Sequence, residues 1–121
     1  MRKEIEITSV AVESNRVILQ ADQLDFGEIK PKSQMLVDSD RFAFIYIVEI
    51  QDEYAYVTLP EPSWAHLKEV CTEHLPVVLR NGEAEIELPA FEEELVYLLD
   101  NIKDNANYGD DMVLRVEKAF S

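Results

Sequence analysis

An α+β fold, with a mainly antiparallel sheet and about three helices of which the last two are C-terminal, is predicted by three features of this chain. Extended apolar runs dominate as far as Leu59. The dipeptide Asn81-Gly82 sits between two short apolar runs, and two apolar stripes with a helical period begin at Phe91 and Met112. Alternation sends side chains to opposite faces of a strand, whereas spacings of three and four keep them on one side of a helix. The 121 residues suffice for one hydrophobic core and are short for two ordinary domains, so one domain over 1–121 is expected.

Ile5, Ile7, Val10 and Val12 fit a first strand with an irregularity at Ser9, and Ser14-Asn15 separates it from Val17-Ile18-Leu19, giving a hairpin. A third extended piece, Leu24 to Ile29, runs into Lys30-Pro31, because the residue before a proline is pushed away from helical angles. Met35-Leu36-Val37 enters a polar turn at Asp38-Ser39-Asp40. The run Phe42 to Val48 carries apolar side chains on both faces, as the middle strand of a covered sheet would. Gln51-Asp52-Glu53 turns it back into Tyr54 to Leu59, where Ala55, Val57 and Leu59 share one face and Tyr54, Tyr56 and Thr58 the other.

Pro60 and Pro62 stop that strand, and Ser63 is the expected cap of a helix with Trp64, Leu67, Val70, Cys71 and His74 at helical spacing. Val77 to Leu79 and Ala84 to Leu88 then flank Asn81-Gly82, a dipeptide suited to the positive φ angles of a two-residue hairpin turn. In that register Glu83, Glu85 and Glu87 point away from Ala84, Ile86 and Leu88 and line the solvent side of one strand. After Pro89, the spacing of Phe91, Leu95, Leu98, Leu99 and Ile102 predicts a second helix, with Glu92, Glu93 and Glu94 where the helix dipole favours acids. Asn105 to Gly109 breaks it. Met112, Val113, Val116, Ala119 and Phe120 predict the last helix, with Asn107 and Asp110 as its expected capping pair.

Composition excludes several function classes. The formal charge is -14, and residues 83 to 111 hold ten carboxylates against Lys103 alone. A field of that sign repels nucleic acid and anionic lipid and attracts cations or a basic protein surface. No basic footprint for nucleic acid exists among eleven bases and twenty-five acids, nor any lysine-rich membrane-surface helix. Phe42 to Ile50, the longest mostly apolar run, includes Glu49 and falls short of the roughly 20 residues of a membrane span. Met1 to Glu6 alternates charged and apolar residues where a secretory signal needs an unbroken apolar segment, so a cytoplasmic protein is expected. A single cysteine, Cys71, excludes an internal disulfide and a cysteine-based four-ligand zinc site.

From about Met35 onward, particular words carry a resemblance. They are Leu36-Val37-Asp38-Ser39-Asp40, the strand with Phe44, Tyr46, Ile47 and Glu49, and Tyr56-Val57 with Pro60 and Trp64. The most specific is Asn105-Ala106-Asn107-Tyr108-Gly109 followed by Val113, Val116, Glu117, Lys118 and Phe120. On these words the chain resembles the YjbL-like family of small acidic proteins from low-GC Gram-positive bacteria, over its C-terminal two-thirds. The resemblance implies a bacterial cytoplasmic protein and brings no activity, ligand or catalytic residue with it.

Chemistry is sparse. His66, Cys71 and His74 share one short helix, but at about 100° per residue Cys71 and His74 project near 140° and 80° from His66, so the three cannot converge on one ion. A Cys71-His74 dyad lacks a group to orient the base, and a free cysteine on an apolar stripe reads as packing. Asp38-Ser39-Asp40 starts like a calcium loop, yet its sixth position is Ala43 rather than glycine and an apolar strand follows, so a side-chain-bonded turn is the plainer reading. No cofactor is expected.

Three function classes follow. The leading one is a non-enzymatic interaction or regulatory protein that meets a basic protein partner with an acidic surface of Glu83, Glu85, Glu87, Glu92 and Glu93. The turn residues Asn105, Asn107 and Tyr108 are added to that candidate surface, since loop residues often carry function. The second is a small-ligand module whose groove is floored by Tyr54, Tyr56 and Trp64. The third is a metal-dependent enzyme or hydrolase using Asp38, Asp40 and His74, for which no nucleophile, base and oxyanion group stand together.

Overall fold

The computed structural model describes residues 3–21, 28–103 and 105–121. Eight strands and three α-helices occur among these residues: β1 Lys3–Ile5, β2 Ile7–Glu13, β3 Arg16–Ala21, β4 Ile29–Asp38, β5 Ala43–Ile50, β6 Glu53–Pro60, α1 Trp64–Glu73, β7 Val77–Asn81, β8 Ala84–Glu87, α2 Phe91–Ile102 and α3 Asp110–Phe120. The α+β class holds, with the last two helices C-terminal. The strands form two sheets rather than one, in the orders β1-β6-β5-β4 and β2-β3-β7-β8. Each contains one parallel pairing, β1 with β6 and β3 with β7, so both sheets are mixed although antiparallel pairings predominate.

The first predicted strand is divided. Glu6 lies between β1 and β2, which join different sheets, and the irregularity expected at Ser9 falls between Ile7 and Ser9. Ser14 and Asn15 both take positive φ, 51° and 61°, and so do Gln51 and Asp52, at 52° and 63°. Positive φ at both central residues marks the hairpin turns whose twist suits adjoining strands. The extended piece expected from Leu24 lies outside the described residues as far as Gly27. From Ile29 it is continuous with the Met35 segment in one strand. Pro31 is accommodated there because β4 is a sheet edge and shifts register between Pro31 and Met35. Ser33, inside that shift, has φ 55°.

In β5 the residues Phe44, Tyr46, Val48 and Ile50 face the main core, and Ala43, Ile45 and Ile47 on the other face are also buried. That explains the unbroken apolar run. The core joins one side of both sheets to Trp64, Leu67 and Val70 of α1, Phe91, Leu95 and Ile102 of α2, and Met112 and Val116 of α3. Trp64, Phe44 and Phe120 form an aromatic cluster with centroids 5.2 to 6.0 Å apart. Tyr46 stacks on Phe91 at 5.7 Å, and its hydroxyl donates to the Pro89 carbonyl at 2.7 Å. Glu94 accepts the Met35 amide at 3.1 Å, fastening α2 to the irregular edge of β4.

The helix ends differ from expectation. Ser63 stands at the N-cap of α1, but its hydroxyl donates to the Pro60 carbonyl at 2.6 Å and caps no helical amide. The short 3-10 turn at Glu61–Ser63 takes that hydroxyl first. Gly109, not Asn107, precedes α3, and no side chain caps that helix. At the far end of α1, His74 adopts a left-handed conformation and the Leu75 amide reaches back to the Val70 carbonyl at 3.3 Å.

Candidate functional site

Two chain reversals shape an acidic depression among the described residues. His74 ends α1 and the chain passes through Leu75-Pro76 into β7; Glu87 ends β8 and the chain passes through Leu88-Pro89-Ala90 into α2. These two connections and the first turn of α2 enclose a groove of about 590 Å³, lined by Leu75, Pro76 and Pro89 together with His74, Glu87, Glu92 and Glu93. Pro76 and Pro89 deny helical continuation on either side, and Ala90, at φ 61°, sets the angle at which α2 starts. The amide of Glu94 closes that first turn on the Ala90 carbonyl at 2.9 Å.

Within the groove, His74 Nδ1 lies 2.7 Å from Glu92 Oε2. Glu87 and Glu93 are exposed and form no ion pair with a lysine or arginine among the described residues. Three carboxylates from two elements therefore converge on one concavity with a partly apolar lining. Cys71 stands one turn of α1 before His74, half-buried, and its thiol is pushed up to about 11 by burial, reinforced by the charge of Glu92. A thiol held protonated is a poor nucleophile.

The remaining acids of the predicted surface lie elsewhere. Asn81 pairs with Ala84, so the hairpin turn is Gly82-Glu83 rather than Asn81-Gly82, and Glu83 lies in the turn instead of on the strand. Glu85 is on β8 but is not a free charge: Arg80 Nε and Nη2 donate to Oε2 at 2.9 and 2.7 Å, and Arg16 Nη1 donates to Oε1 at 3.1 Å. Arg80 also reaches Glu13 at 3.4 Å, so the network ties all four strands of its sheet. Those hydrogen bonds hold the Glu85 carboxyl below its ordinary value.

Asn105, Asn107 and Tyr108 build a turn. Asn105 Oδ1 accepts the Asn107 amide at 3.0 Å, Asn105 Nδ2 donates to the Asn101 carbonyl at 3.1 Å, and the Tyr108 amide donates to the Asn105 carbonyl at 3.2 Å. Tyr108 packs against the core. These interactions engage the Asn105 side chain within the turn itself.

The aromatic trio is separated. Trp64 is buried, with its indole donating to the Leu59 carbonyl at 3.2 Å, whereas Tyr54 and Tyr56 project from the opposite face of β6. Strand alternation places them on the other face of the sheet from Trp64. Asp38 and Asp40 line a different depression from His74, with Leu36, Arg41 and Ile45. Asp38 Oδ1 accepts the Arg41 amide at 3.3 Å, in the manner of a side-chain-bonded turn. Among the described residues no group of three or more His, Cys, Asp or Glu is arranged to hold a metal ion. No helix among them is long and apolar enough to cross a membrane.

The part of the site not predicted from sequence is the meeting of His74 with Glu92, which are 18 residues apart. Only the docking of α1 beside α2 brings them together, and no spacing rule reports it.

The comparisons with known proteins agree along the whole chain. A family model described as "Family of unknown function (UPF0738)" matches residues 5–120. A UPF0738 protein of Bacillus licheniformis is 46% identical over 120 residues, covering 99% of each chain, and YjbL of Bacillus subtilis is 45% identical over 121 residues with the same coverage. A relative from Geobacillus is 41% identical over 122 residues, 99% of this chain and 98% of its own. No solved structure matches the chain. The resemblance seen in the C-terminal two-thirds thus extends to the N-terminal strands, and the chain belongs to the UPF0738 family of bacterial proteins, the family of YjbL.

Proposed function

We propose that this is a non-enzymatic cytoplasmic interaction or regulatory protein, which receives a basic segment of a protein partner in the groove of Glu87, Glu92 and Glu93. The observation that carries the reading is the contrast between these carboxylates and Glu85. Glu85 is consumed by two arginines, while Glu87 and Glu93 have no basic side chain against them among the described residues. An apolar lining with an acidic rim suits lysine and arginine, whose aliphatic stems lie on apolar surface while their heads seek carboxylates. The net charge of -14 adds long-range attraction for such a partner and speeds the encounter. The Tyr54, Tyr56 and Trp64 groove does not return as a second reading, because the sheet parts its members.

Capture of partners from native lysate at low and high salt tests the proposal, with the double reversal Glu87→Lys/Glu93→Lys set against the charge-matched control Glu83→Lys/Glu117→Lys. A basic protein captured at low salt, released by high salt, lost with the groove reversal and kept by the control supports it. Capture that survives the groove reversal, or no capture at low salt, overturns it.

A further inference from the structure

We draw no further inference here: the strongest candidate, the groove between the end of α1 and the start of α2 lined by Glu87, Glu92 and Glu93, already belongs to the proposed function, and nothing in the structure beyond its acidic lining says what more specific occupant it takes.

Discussion

Arg80 grips a single oxygen of Glu85, Oε2, with both Nε and Nη2, at 2.9 and 2.7 Å. Arg16 takes the other oxygen from β3, so one carboxylate braces the β7–β8 hairpin against its neighbour. The folded-state pKa of Glu85 is lowered, first by the Arg80 hydrogen bonds and then by Arg16. Stabilisation from this source is therefore present above the ordinary carboxylate range and lost as pH falls through the lowered value. Thermal melts of the wild type and Glu85→Gln between neutral and acid pH should show the wild type more stable near neutrality and the two converging in acid. A constant gap at every pH would show that ionisation of Glu85 is not what matters. Salt should narrow the gap at neutral pH, since the network is solvent-accessible.

Glu87 and Glu93 offer the opposite case. Both are exposed and without a basic partner among the described residues, so Glu87→Lys should leave stability within about 0.5 kcal/mol of wild type, whereas Glu93→Lys, in the first turn of α2, should cost about 0.3–1 kcal/mol through the helix dipole. Denaturant unfolding checks this. It also separates a loss of partner capture from a loss of folding.

Trp64 and Tyr54 stand on opposite sides of the sheet, and truncation should treat them differently. Trp64 is 1% exposed in the aromatic cluster, so Trp64→Ala should cost about 3–5 kcal/mol. Tyr54 is 58% exposed, and Tyr54→Ala should change stability by no more than about 0.5 kcal/mol. Equal losses in urea unfolding would contradict the placement of these side chains.

Tyr46→Phe deletes the hydroxyl that donates to Pro89 while keeping the ring stacked on Phe91. Leaving that carbonyl without its donor should cost about 1–3 kcal/mol. Burial raises the phenol pKa, with hydrogen bonding to Ser33 acting in the other direction. The native state therefore retains this proton more tightly than the unfolded chain. Its stabilisation is complete below the ordinary phenol value and lost as pH rises through the raised one. Melts above pH about 10 should thus lose a component in the wild type that Tyr46→Phe lacks.

Cys71 should react slowly. With the thiol pushed up to about 11, only a small thiolate fraction exists at neutral or mildly alkaline pH, and the side chain is half-buried besides. Iodoacetamide labelling of native protein should be much slower than that of the urea-unfolded chain. Removing the negative charge in Glu92→Gln should accelerate it modestly, because Glu92 contributes after burial. Native labelling as fast as unfolded would refute the assignment.

Gly109 gives the Asn105 to Gly109 word a physical reason for its last residue. Its φ is 87° with ψ 142°, a region closed to other residues without strain, and a Cβ there would meet nothing within 4 Å. Gly109→Ala should therefore cost about 1–3 kcal/mol through backbone strain alone. Calorimetry of the single substitution measures it.

Much of the local structure was legible because local physics fixes it. The Phe91, Leu95 and Ile102 stripe buries itself in α2 as its period requires, and the same holds for Met112 and Val116 in α3. The β5 run reads as a covered strand, and the β6 alternation correctly assigns Ala55, Val57 and Leu59 to one face. Capping was less legible, because the Pro60 carbonyl takes the Ser63 hydroxyl and a short 3-10 turn carries Asn107 two residues ahead of Gly109, where α3 is entered.

By itself, then, the sequence determined the class of the fold, the faces of its strands and helices, its acidity and its family. Each of those follows from residue type and short-range spacing. Tertiary structure alone decided that Ile5 and Val10 join different sheets, that β1 and β3 take parallel partners from far along the chain, and that Trp64 is parted from Tyr54 and Tyr56. It also decided which carboxylates count: Glu85, two residues before Glu87, is neutralised by arginines on other strands, while Glu87 meets Glu92 and Glu93 in an open groove. Strand pairing and helix docking are set by long-range burial, and a carboxylate's charge is set by what that burial brings within hydrogen-bond reach, which no local pattern of residues encodes.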